Sequence, residues 1–396
     1  MCSVEVINFL MFGNIGDAEV YHNMDLQVPD SEGLFSARRS RRLLLAWAVL
    51  MIGALAGAAH AESDAARGRL ITSLAVAINP LTHKVYAVNE ERDTVSVMDE
   101  QSGLARVVKV GSAPIALAIN PRTDRIYVVN TDSDSVSVID GKTDAVIATV
   151  KGGSHPYVLA VNETTNKIYV TYTYSDAVTV IDGDTNATQA LKTGSADGIV
   201  IDRRSNKLFL MTYEDPDIRI VDAATGAMSK IAVGPHIWGI AFDEPSDTLY
   251  LAHTGTADVV ALNEKTHTVD RIPVGAIPCA VAVNPVTQII YAVNYGDQTV
   301  SAIDAAKKTV IATLHVGDHP QAVAVDAVHN LIYVANVHGD SVTVIDGAKN
   351  RVIGTYHAGR NPYALAVDPA AKHVYAANYG EQPLTAIDVS HIIAQR

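Results

Sequence analysis

From residue 70 onward the apolar positions come in short runs cut by clusters of Gly, Pro, Asn, Asp, Ser and Thr, and residues 70–396 nowhere keep a helical period. The segment Gly317 to Gly359 is representative. HPQAVAVD (319–326) is an apolar run after a proline, LIYVAN (331–336) is β-branched and aromatic, SVTVID (341–346) alternates, and RVIGTYHAG (351–359) ends at glycine. Each run has the length and composition of a strand, with turn residues between. The alternation in SVTVID sends Val342, Val344 and Asp346 to one face and Thr343 and Ile345 to the other. The pattern predicts four antiparallel strands in every such segment.

The segment recurs. An aromatic residue marks the same place eight times, at Tyr86, Tyr127, Tyr169, Phe209, Tyr250, Tyr291, Tyr333 and Tyr375, with gaps of 40 to 42 residues. A second marker keeps phase with it: Asp99, Asp140, Asp182, Asp222, Asn263, Asp304, Asp346 and Asp388. A glycine follows at 111, 153, 194, 234, 275, 317 and 359. Four strands every ~42 residues describe a propeller blade. One blade exposes two apolar faces and is not stable alone; face-to-face stacking buries both, and a closed ring leaves no terminal blade. Gly and Pro in phase fit a tight crossing from the outer strand of one blade to the inner strand of the next. The fold class is therefore all-β, a single propeller of eight four-stranded blades, with seven as the alternative. The recurring acid should accept backbone N–H bonds in the turn to the fourth strand. The joint between last and first blades is the expected weak point. The stretch before Leu74 makes a poor strand, and VSHIIA (389–394) is expected to serve as a shortened fourth strand of the last blade.

VYAVN (85–89), IYVVN (126–130), IYVTY (168–172) and IYVAN (332–336), set in a VGxxP…AVAVNP…YVxN…TVxVID pattern, resemble the YVTN repeat of YncE-like β-propeller proteins. The resemblance covers about residues 70–390. It implies the same fold and, as for most members, export from a bacterial cell. It implies little about chemistry: some relatives bind single-stranded DNA, and related propellers include lactonases, lyases and subunits of redox enzymes.

The first 69 residues read differently. Arg38, Arg39, Arg41 and Arg42 precede an uncharged run, LLLAWAVLMIGALAG (43–57), and then Ala59-His60-Ala61. These are the three parts of a secretory signal, with cleavage expected after Ala61; an uncleaved anchor is the alternative. The organisation is then an N-terminal extension and signal over 1–61, a linker over 62–69, and the propeller over 70–396. Residues 1–36 are unusual ahead of a signal, and Met24 is a plausible true start. The expected location is the periplasm or the exterior, with membrane contact only through an uncleaved signal. Cleavage would remove Cys2 and leave Cys279 alone, so no disulfide could form within the chain.

Charge narrows the functional classes. The 396 residues carry 30 Lys and Arg against 43 Asp and Glu, a net charge of −13. That disfavours a protein built to grip phosphate backbones. Lys84, Arg122, Arg125, Lys167, Arg203, Arg204, Lys207 and Lys372 fall in turns of one face, where they could still hold a weakly bound single strand. No GxSxG, HExxH, Walker, CxxC or CxxCH motif occurs in the sequence, so no catalytic or haem-attachment residue is assigned.

Candidate chemistry gathers on the opposite face, the top, which the GxxP crossings share with the loops between second and third strands. Beside the crossing proline stands His155, His236 or His319 in three units, ahead of Pro156 and Pro320 in two and after Pro235 in the other. These imidazoles lie two blades apart, too far for one shared ion, and packing against the local proline is the plainer role. The next ring, at the channel mouth, includes Tyr157, Asp197, Trp238, Cys279, Gln321 and Tyr363. It forms either a ligand pocket with polar points or an aromatic plug. The top loops are acidic and tyrosine-rich, with His253 and His338 among them. A divalent cation is possible there, though solvated turns account for the acids. The reading is an exported binding or scaffold protein for a small molecule or protein partner. The alternatives are a lactonase- or lyase-type enzyme and a single-stranded DNA binder.

Overall fold

The computed structural model describes residues 75–380 and 382–395. The expected signal and linker, Met24 and Leu74 lie outside them. Within them, 31 strands, β1–β31 in chain order, form eight antiparallel sheets. Seven sheets have four strands each, and the eighth has three. The inner strands are β1 (Val76–Asn79), β5 (Pro114–Asn120), β9 (Pro156–Asn162), β13 (Gly198–Asp202), β17 (Ile237–Asp243), β21 (Pro278–Asn284), β25 (Pro320–Asp326) and β29 (Pro362–Asp368). Each packs against the next, and β29 packs back on β1, so the ring of eight blades closes. The core at that closure is continuous: Val76, Tyr86 and Val97 share one cluster with Ala364, Tyr375 and Ala377.

Burial runs as the repeat requires. In the seventh blade the second strand, β26 (Leu331–Asn336), and the third, β27 (Ser341–Asp346), are buried throughout, while the outer strand, β28 (Arg351–His357), is mostly exposed. The alternation of SVTVID thus points to two neighbouring blades rather than to core and solvent. The eight in-phase aromatics are all buried, none more than 3% exposed. At ~25 cal/mol per Å² and ~150 Å² or more each, every one contributes about 4 kcal/mol of burial as an upper bound.

The other markers have specific jobs. Each acid at the end of a third strand accepts backbone N–H groups of the following turn, as Asp140 does from Thr143 (2.8 Å) and Asp182 from Asp184 (3.0 Å) and Thr185 (2.9 Å). Asn263 makes the same bonds in the unit that lacks the acid. The crossing glycine is a matter of space. A Cβ at Gly317 would lie 2.5 Å from the Asn336 amide, whose Oδ1 accepts the Gly317 N–H at 3.1 Å. The Asn336 Nδ2 in turn donates to Thr343 at 2.9 Å, so Gly and Asn of one unit form a single device.

The last blade departs from expectation. VSHIIA is not a strand: after β31 (Leu384–Asp388) the chain forms a short helix, α1 (Ser390–Ala394). Its Ile392 is buried with Val389 in the core of the last two blades. His391 stacks edge-on with Tyr356 of β28 and lies 3.2 Å from its hydroxyl. The apolar residues of VSHIIA sit at helical as well as strand spacing, and β28 supplies His391 with an aromatic partner. Among the described residues no helix is long and apolar enough to cross a membrane.

Candidate functional site

The top face is built by hydrogen bonds between each crossing and the neighbouring loop. The residue after a second strand donates its N–H to the carbonyl of the residue that enters the inner strand: Thr131 to Ala113, Thr254 to His236, Tyr295 to Ile277 and Val337 to His319. The loop acids complete the joint. Asp93, Asp134 and Asp340 accept the N–H of Ala113, His155 and Asn361 at 2.9, 2.7 and 2.8 Å. These acids are therefore structural, and the crossing backbone holds the Asp134 carboxyl below the usual carboxylate range.

The recurrence of His and Asn at the crossing has a backbone cause. Ala113, His155, His236, Ile277, His319 and Asn361 all sit at positive φ, between 48° and 69°. That region admits Asn and His more readily than most residues. Their side chains do not converge. Each is instead paired with a ring from a top loop. His155 meets Tyr174 edge-on at 5.4 Å, His236 meets Tyr213 at 5.0 Å, and His319 meets Tyr295 at 4.9 Å. In the eighth blade Tyr363 stacks on Tyr379 at 4.4 Å. The top thus carries ring pairs at the third, fifth, seventh and eighth blades.

At the mouth, Tyr157 and Trp238 are packed in, 7% and 2% exposed, with Tyr213 6.1 Å from the Trp238 ring. Asp197 and Gln321 are also buried, and the Asp197 carboxylate accepts the Tyr213 N–H at 3.1 Å. Cys279 is buried with its thiol toward the Pro320 and Gln321 carbonyls. Tyr363 keeps partial exposure, and Tyr174 and Tyr379 lie open, 76% and 39% exposed. Mouth residues seated in this way support the pairs above them. A groove of about 950 Å³ lies elsewhere, beneath the loops of the third and fourth blades, with Asp176, Thr193, Asp215 and Arg219 among its walls.

Sequence reasoning missed the closest pairing on this face. His338 comes within 4.2 Å of His319, ring to ring, and the Asp318 carboxylate lies 2.6 Å from His319 Nδ1. These three side chains could share a metal ion. Burial, and then the charge of His319, hold His338 below the usual imidazole pKa. The signal available in the sequence was the 19-residue spacing from a crossing to the loop above it, which aligning crossings alone does not use. The groove lies where the fourth unit is one residue short: buried Arg219 replaces the usual Ser or Thr and bonds the crossing carbonyls of Thr193 and Ser195. His253, expected among the top loops, is buried beside Asp258 and is held low by that burial.

Most cations of the opposite face are used internally. Lys84 bonds Asp144 and the Gly141 carbonyl of the next blade, Arg125 bonds the Gly183 carbonyl, and Lys207 bonds Glu264. Arg204 and Lys167 are likewise bound to carboxylates. A nucleic acid strand would have to compete with these joints.

The sequence matches the family model of the YncE-like beta-propeller over residues 39–264. Among curated proteins none is a significant match. Of solved structures, the dihydro-heme d1 dehydrogenase NirN in complex with DHE aligns with TM-score 0.69 and 13% identity, over 80% of this chain and 72% of that one. The hydrazine synthase of Kuenenia stuttgartiensis aligns with TM-score 0.55 and 18% identity, over 82% and 96%. At such identities the likeness is one of fold.

Proposed function

Because the chain belongs to the YncE-like β-propeller family, we propose that it is an exported binding propeller whose top face receives a planar, conjugated small molecule. The observation that carries this is the set of ring pairs on one face, His155–Tyr174, Tyr213–His236, Tyr295–His319 and Tyr363–Tyr379, while the other face is closed by repeated polar joints. Exposed aromatic faces offer area to a flat ligand at little entropic cost, and imidazoles could add hydrogen bonds or a nitrogen donor. NirN, of like fold, bears a name that places a tetrapyrrole, dihydro-heme d1, as what it acts on. Export is supported by the basic cluster, apolar run and small-x-small site of residues 38–61. Binding is favoured over catalysis because the crossing histidines His155, His236 and His319 stay two blades apart.

The test uses an internal reporter. The chain has two tryptophans, Trp47 and Trp238, and a chain cleaved after Ala61 keeps only Trp238, directly below Tyr213. Titration with haemin and with iron-free protoporphyrin should quench Trp238 emission in a saturable manner. Tyr379→Ala and His319→Ala should weaken binding about tenfold, an order of magnitude being about 1.4 kcal/mol. No quenching, or quenching indifferent to both substitutions, would remove the proposal.

A further inference from the structure

We propose that the joint between the last and first blades holds a divalent transition-metal ion, ligated by His83, Glu100 and Asp368. This site is independent of the top-face ligand. His83 is in the β1–β2 turn, Glu100 follows the third strand of the first blade, and Asp368 ends β29, so an ion there would tie the two ends of the ring. One ligand atom from each lies within 4.8 Å of the others. His83 Nδ1 is 3.8 Å from Glu100 and 4.0 Å from Asp368. The Glu100 side chain is only 5% exposed; the Tyr375 hydroxyl and the Asp368 carboxyl lie beside it, but neither of its oxygens makes a hydrogen bond of ordinary geometry. Asp368 spends Oδ1 on the Ala370 and Ala371 N–H groups, which leaves Oδ2 toward the cluster.

The repeat supplies an internal control. The same three positions at the joint between fourth and fifth blades are Asp202, Asp247 and Glu264, again within 4.8 Å. There the negative charge is met by side chains. Lys207 lies 3.1 Å from Glu264, and Arg204 and Lys265 lie 2.6 and 2.5 Å from Asp247. At the closing joint the equivalents of Arg204, Lys207 and Lys265 are Ala370, His373 and Gln101. His373 turns away, with Nδ1 2.7 Å from the Ala371 carbonyl. Two buried carboxylates are left without their cations, and one divalent ion restores the balance. At three other joints amides meet directly, Asn120 with Asn166 at 2.7 Å, Asn162 with Asn206 at 2.8 Å and Asn284 with Asn330 at 2.9 Å.

One imidazole and two carboxylates suit Zn²⁺ or Mn²⁺ better than Ca²⁺, which wants six to eight oxygens. His83 is 43% exposed and gives the ion an entry path. The Tyr375 hydroxyl faces the cluster from β30 (His373–Asn378) and is pushed well above its ordinary pKa by burial and by Glu100.

The experiment compares the melting temperature of the EDTA-treated propeller with and without Zn²⁺, Mn²⁺ or Ca²⁺, in a His319→Ala, His338→Ala background that removes the top-face cluster. Zn²⁺ or Mn²⁺ should raise it, in a concentration-dependent way. Glu100→Gln and Asp368→Asn should each weaken that response about tenfold or more. Should either fail to fold, His83→Gln, at an exposed side chain, gives the same reading. Gln101→Lys with His373→Lys, which restores the cations of the other joint, should stabilise the metal-free protein and abolish the response. No response to any of the three ions overturns the proposal, as does an equal response in the ligand variants. If metal has no effect and stability falls as pH rises, a proton shared by Glu100 and Asp368 fills the place, and the metal site is refuted.

Discussion

Lys207→Met tests whether charge balance at a blade joint is a matter of stability. The substitution keeps most of the apolar stem and removes the ammonium. Glu264 is then left with 1% of its side chain exposed, and its neighbours cannot replace the lost partner, since Arg204 and Lys265 are both held by Asp247. Breaking a fully buried pair in this way costs about 3–5 kcal/mol. Lys207 is itself 35% exposed, so water reaches the site and a discounted loss of about 2–3 kcal/mol is expected. With an m-value of about 3 kcal/mol per M for a ring of this size, the urea midpoint should fall by just under about 1 M. Adding Glu264→Gln removes the stranded charge and should recover most of the loss, leaving about 1 kcal/mol. A single variant within about 0.5 kcal/mol of the parent would refute the reasoning. So would a double variant less stable than the single one.

The tyrosine ring should prove to be packing first: Tyr291→Phe, at a buried hydroxyl without a hydrogen-bond partner, should leave the urea midpoint unchanged or raise it. Tyr86→Phe removes a hydroxyl 3.2 Å from Asp144 and should cost about 1 kcal/mol, so equal effects would contradict the assignment. The turn acids set an acid limit. Thr143 holds the Asp140 carboxyl low, and Lys167 and then Thr185 hold Asp182 lower still. Their folded pKa values lie below the unfolded one near about 4, so this stability is complete above that pH and is lost as pH falls through the folded values. The midpoint should therefore begin to drop below about pH 5 and keep dropping to about pH 2, less steeply in Asp182→Asn; a flat profile would dismiss the effect. Ile392→Ala, 3% exposed in α1, should cost about 2–4 kcal/mol and speed amide exchange in β31, whereas a neutral result would mean the helix does not cover the last blade.

What was legible in the sequence was whatever the repeat averages over. Tyr333, Asp346 and Gly317 stand for seven or eight positions each, so their phase alone specified strand count, blade count and the crossing. The helix at the end, and a last blade with three strands among the described residues, were not legible, because VSHIIA is the one place where no later unit completes the pattern. The same logic governs the sites. A feature repeated in most blades, such as the third-strand acid or the positive-φ residue of the crossing, answers a backbone need, and His155, His236 and His319 mislead when read as a set. Chemistry lies where equivalent positions stop being equivalent. His338 beside His319, Arg219 in a Ser or Thr position, and Glu100 without its lysine are each visible only when units are laid over one another and then compared across a joint. That comparison needs to know which residues of one blade meet which of the next: Asp368 and Glu100 are 268 residues apart in the chain, and only the closed ring makes them neighbours.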